Sequence, residues 1–100
     1  MFGLQKSEID KLKVLFSTYP DIHKVILYGS RAKGNHRIDS DIDLTLLGTG
    51  LTLSRLFELE NALDDLLLPY KIDLSIYEKI NNPELIDHIN RVGKVLYQSR

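Results

Sequence analysis

The sequence predicts an α/β (α+β) fold: one domain over residues 1–100, a small mixed β-sheet with helices packed mainly on one face. Three observations predict it. Apolar residues recur at helical spacing in three separated stretches, short β-rich runs lie between them, and proline or glycine marks most of the junctions. At 100 residues, one compact module with a single hydrophobic core is expected.

Ser7 with Asp10 three residues on has the form of a capping box, and Ile9, Leu12, Leu15, Phe16 and Tyr19 follow at helical spacing. A first helix is therefore expected from Glu8 to Thr18. Pro20-Asp21 ends it, and the apolar run Lys24-Val25-Ile26-Leu27-Tyr28 predicts strand one, closing at Gly29. Ser30 can cap a short helical turn through Arg31-Ala32-Lys33, which Gly34-Asn35 closes. Strand two is expected from Asp41 to Leu47, before the turn Gly48-Thr49-Gly50. From Thr52, the residues Leu53, Leu56, Phe57, Leu59, Leu63, Leu66 and Leu67 outline a second long helix with a broad apolar face, stopped by Pro69. Strand three, Lys71 to Tyr77, sets Ile72, Leu74 and Ile76 on one side and Asp73, Ser75 and Tyr77 on the other. Asn82-Pro83-Glu84 opens a last helix through Leu85, Ile86, Ile89 and Val92 that Gly93 can end, and a short strand, Lys94 to Tyr97, follows.

Composition narrows the function. Charged residues make up 27% of the chain and the net charge is −1, so no general attraction to a nucleic-acid backbone is built in, and nucleic acid is a poor partner. No segment has the length of a membrane span, so no membrane association is expected. Without cysteine there is no disulfide framework and no thiolate zinc site, and the first residues lack the apolar run of a secretory signal. A cytoplasmic address is the default expectation.

The chemistry gathers on strands. In Asp41-Ile42-Asp43-Leu44-Thr45-Leu46 side chains alternate, so Asp41 and Asp43 share a face about 7 Å apart while Ile42, Leu44 and Leu46 turn to the core. Like charges on one face of a strand cost stability, and the pair reads as a site for a divalent cation. Short acidic pairs also occur at strand ends facing water, so the pair alone decides nothing. A third acid, Asp73, near the start of another strand, and the turn Gly29-Ser30, separated from Asp41 by ten residues, make coincidence a poor explanation. If these residues serve one site, strands one and two run antiparallel, and strand three runs parallel to strand two across a helical crossover. Mg²⁺ suits such donors, because it takes oxygen ligands and completes its shell with water and phosphate. His23, His36 and His88 show no recurrent ligand spacing and read as surface or loop histidines. Gly29 is either a plain strand end or a place where a triphosphate approaches backbone N–H groups, with Ser30 adding a hydroxyl. Arg31, with Lys33 and Arg37 in the same connection, either neutralises phosphate charge or is a solvated loop cation. Tyr28 and Tyr77 read as packing residues.

Gly29-Ser30-Arg31-Ala32-Lys33-Gly34, followed by Ser40-Asp41-Ile42-Asp43-Leu44 and later Asp73, resembles the signature of the polymerase-β-type nucleotidyltransferase superfamily. The likeness is greatest to its minimal members, the MNT proteins, and spans Val25 to Tyr97. It implies transfer of a nucleoside monophosphate from a triphosphate, with ATP as the nucleotide, to a hydroxyl acceptor. It further implies that Asp41 and Asp43 bridge two Mg²⁺ ions about 4 Å apart, that Asp73 joins them on the nucleophile side, and that Gly29 and Ser30 hold the β and γ phosphates. Minimal members are commonly encoded beside a small all-helical HEPN protein, a toxin that they silence by placing AMP on a tyrosine. The resemblance thus implies an antitoxin with a helical partner. Two alternatives stand beside it: a nucleotidyltransferase for a small molecule such as an antibiotic, which normally needs a longer chain, and an inactive module that neutralises a helical partner by contact alone.

Overall fold

The computed structural model describes residues 2–99, so the first and last residues of the expected domain lie outside the described residues. Among the described residues, four strands and four α-helices follow one another as α1 (Lys6–Ser17), β1 (Ile22–Tyr28), α2 (Ser30–Lys33), β2 (Ile42–Gly48), α3 (Leu53–Asp64), β3 (Ile72–Ile76), α4 (Pro83–Val92) and β4 (Lys94–Gln98). The sheet order is β3-β2-β1-β4. β1 pairs antiparallel with both β2 and β4, while β2 and β3 run parallel, joined through α3. This is the mixed sheet expected from the sequence, with the directions that convergence of the acids requires.

One face of the sheet carries the main core. Val25 and Leu27 of β1, Ile42, Leu44 and Leu46 of β2, and Leu74 and Ile76 of β3 meet Leu12 and Phe16 of α1 and Leu59 and Leu63 of α3. Their alternation leaves Ile26, Tyr28, Asp43, Thr45, Asp73 and Ser75 on the opposite face. There α4 crosses β1. Its closing residue Gly93 lies so near Ile26 that a Cβ would come within 2.6 Å of Ile26 Cγ2, and the His88 ring meets Tyr28 edge-on. The expectation that helices gather mainly on one face holds for α1 and α3; α4 covers part of the other.

Element ends depart from the sequence reading for local reasons. The capping box at the start of α1 is made by Gln5 and Glu8, the Gln5 N–H donating to Glu8 Oε1 at 2.8 Å, and Ser7 and Asp10 lie inside the helix. β1 begins at Ile22, which is fully buried, earlier than the run from Lys24 suggested. Asp41 stands just ahead of β2 rather than in it. α3 ends at Asp64, short of Leu67, because Leu67 takes a left-handed conformation (φ +56) that returns Leu66 and Leu68 toward the core and leaves Leu67 itself 86% exposed. β3 stops at Ile76, and Tyr77–Lys79 form a single 3₁₀ turn. At α4 the expected start is observed: Asn82 Oδ1 accepts from the N–H groups of Glu84 and Leu85.

Candidate active site

Asp43 lies in the middle of a short polar row. Its antiparallel neighbour on β1 is Tyr28 and its parallel neighbour on β3 is Asp73. Residues paired in this way share a face and stand about 5 Å apart, so the two carboxylates feel one another directly. Asp41, two residues earlier, is exposed at the same end of the sheet. The environment registers this crowding. Burial holds the Asp43 carboxyl above its ordinary pKa, and the charges of Asp73 and then Asp41 raise it further.

Beneath the acids runs a hydroxyl network. Ser75 Oγ donates to Thr45 Oγ1 at 3.0 Å, and Thr45 is fully buried although polar. Burial raises the Tyr28 phenol, an effect that a hydrogen bond with Ser75 counters and the charges of Asp43 and Asp73 reinforce. Tyr28 thus packs, as its sequence context suggested, and also lines the acidic row.

Gly29 closes the row from the side. Its backbone, φ +77 and ψ −156, is open only to glycine, and a Cβ there would collide with Asp43 Oδ2. The reading of Gly29 as a plain strand end therefore omits its main feature, which is that it abuts Asp43. Ser30, half-buried, starts α2 directly beside it.

Arg31 does not join the site. It is 2% exposed, and its guanidinium donates to the carbonyls of Phe2 (2.9 Å), Ser40 (2.9 and 3.2 Å) and Ile38 (3.5 Å) while lying 4.9 Å over the Tyr70 ring. The expected phosphate contact is corrected to a clamp. By gripping Ile38 and Ser40, Arg31 fixes the connection that delivers Asp41, and Ser40 Oγ tightens it by accepting the Arg37 N–H at 2.8 Å. Lys33 and Arg37 are exposed, as loop cations are.

His88 was missed. Its Nε2 accepts the Gly29 N–H at 3.0 Å, and its ring meets Tyr28 edge-on at 6.1 Å. The signal was present: Leu85, His88, Ile89 and Val92 fall at i, i+3, i+4 and i+7, one stripe of α4. His23 and His36 stay outside the acidic row, His23 exposed and His36 packed against Gly3.

The donor set tests whether a divalent cation belongs here. Asp41, Asp43 and Asp73 offer only hard oxygen atoms, and the mutual repulsion raising Asp43 is what a cation would relieve. Among the described residues no group of three or more His, Cys, Asp or Glu side chains is drawn together at ligand distance. The residues fit Mg²⁺ in donor chemistry, while the acids stand open rather than closed on one point.

Residues 10–100 match the family model described as Polymerase beta, Nucleotidyltransferase. The chain belongs to this family. It is a nucleotidyltransferase, and the match takes in nearly all of the sequence. Among solved structures, a crystal structure of a toxin-antitoxin with AMP-PNP superposes with a TM-score of 0.75 at 24% identity, covering 92% of this chain and 74% of that one. A mutant of the toxin-antitoxin MntA-HpeT gives a TM-score of 0.71 at 26% identity over 97% and 75% of the two chains. A complex of tri-AMPylated Shewanella oneidensis HEPN toxin with MNT antitoxin gives 0.72 at 22% identity over 96% and 74%. No curated protein matches the chain. Among the described residues, no helix of this nucleotidyltransferase is long and apolar enough to cross a membrane.

Proposed function

We propose that the protein is an Mg²⁺-dependent adenylyltransferase that moves AMP from ATP to a tyrosine hydroxyl of a small helical HEPN-type partner, and so acts as its antitoxin. The observation that carries this reading is the pairing of Asp43 with Asp73 in parallel register, beside Asp41 and against a glycine without room for a side chain. Solved relatives of the same fold lend the partner: one is a complex of an AMP-modified HEPN toxin with its MNT antitoxin.

In this reading Asp41 and Asp43 would hold Mg²⁺, with Asp73 completing the set. The bound cation supplies charge neutralisation for the triphosphate and lowers the cost of an anionic leaving group. The chain's own groups do the rest. Gly29 and Ser30 receive the β and γ phosphates, which sets the α phosphorus over the acidic row. Asp73 is exposed at the open edge of β3, where the acceptor hydroxyl can approach, and it takes the hydroxyl proton. The hydroxyl oxygen bonds to the α phosphorus, the bond to the β-phosphate oxygen breaks, and pyrophosphate leaves. Positioning and electrostatics supply most of the rate.

The test is direct. The protein is incubated with ATP, Mg²⁺ and the small helical protein encoded next to it, and the products are examined by intact mass. One or more AMP additions on a partner tyrosine, absent with EDTA or with Asp43→Asn, are expected. A partner that is bound yet never gains mass would instead favour neutralisation by contact.

A further inference from the structure

The Gly29 N–H is a single donor, and in this structure the imidazole of His88 holds it. Because Nε2 accepts that hydrogen, the proton of the neutral ring resides on Nδ1, so the contact sets the tautomer. The ring is supported from the sheet by Tyr28 and carried by the stripe of α4 that faces β1. Gly29 itself sits in a backbone region that only glycine adopts readily, φ +77 and ψ −156.

We propose that His88 is a latch on the phosphate-binding turn: without nucleotide its imidazole occupies the Gly29 N–H, and a nucleoside triphosphate binds by displacing it. This rests on the reading that Gly29 and Ser30 receive the phosphates. Two acceptors then compete for one hydrogen. An anionic phosphate oxygen is the stronger acceptor, so the exchange runs toward nucleotide. Breaking the imidazole bond subtracts from nucleotide affinity, and its removal should tighten binding about 2- to 10-fold. His88 acts here as a positioning residue and makes no bond to the reacting atoms.

Two measurements on the whole protein test the latch. In ¹⁵N-labelled protein the through-hydrogen-bond coupling between the Gly29 amide nitrogen and His88 Nε2 should be present at rest and vanish on saturation with Mg²⁺ and a non-hydrolysable ATP analogue. By calorimetry, His88→Ala should bind the same analogue about 2- to 10-fold more tightly than wild type. Coupling that survives saturation, or a His88→Ala variant that binds equally or more weakly, overturns the latch alone. Should that variant not fold, the coupling in wild type decides. Wild type that binds no analogue in the presence of Mg²⁺ overturns the nucleotide reading, and the latch with it.

Discussion

At the scale of single residues, Asp43 separates the demands of the site from those of the fold. Its carboxyl is held above the ordinary value by burial and by Asp73 and Asp41, so the native protein binds its proton more tightly than the unfolded chain does. The stability that this confers is fully present below the unfolded carboxylate pKa, about 4, and is lost as pH rises through the raised native value. At neutral pH the ionised group is therefore a liability in metal-free protein. Asp43→Asn should melt no lower than wild type in EDTA at pH 7, and the difference should shrink as pH falls below about 4, measured by thermal melts across pH. A large drop at pH 7 would make the acid structural. The same variant should lose roughly 10²-fold or more in AMP transfer, measured as initial rate with saturating Mg²⁺ and ATP. Gly29→Ala combines a forbidden φ with a collision on Asp43, and should cost about 1–3 kcal/mol in a urea titration as well as nucleotide binding.

Connections between elements show where sequence patterns carry information and where they do not. Periodicity and the proline breaks placed all four strands and the three long helices, because those signals are local. The position of Leu67 was not legible: seven apolar residues in helical register from Leu53 argue for continuation, while the left-handed turn that ends α3 answers to the core beneath Leu66 and Leu68. Leu67→Gly should accordingly raise stability by about 0.5–1 kcal/mol, read as a shift in the urea midpoint. Arg31 was misread for a related reason. Its neighbours in sequence are polar and cationic, and only the tertiary return of Phe2 and Tyr70 buries it. Arg31→Lys keeps the charge but loses the planar fork that reaches three carbonyls, so about 2 kcal/mol of destabilisation is expected in denaturant.

On the scale of the whole molecule, the strand directions were legible from chemistry alone. Three acids and a glycine turn can meet only if β1 and β2 are antiparallel and β2 and β3 parallel, and the sheet is built that way. The side taken by α4 was not legible, since nothing local says which face of a sheet a following helix will cross, and with it went the role of His88. Binding and global stability should be linked through this site. ATP analogue with Mg²⁺, at about 100 times its dissociation constant, should add roughly 2.7 kcal/mol to wild type and little to Asp43→Asn, a contrast readable as the difference in thermal shift.

The crossover through α3 also sets an order of events during synthesis. The β1–β2 hairpin closes a modest loop, whereas Asp73 reaches Asp43 only after all of α3 has emerged and β3 has docked in parallel beside β2. A nascent chain halted before Ile72 carries two of the acids and no third. On the proposed mechanism such a chain still lacks an acid of the site, and after the crossover is complete one further pairing, β4 against β1, remains to close the sheet.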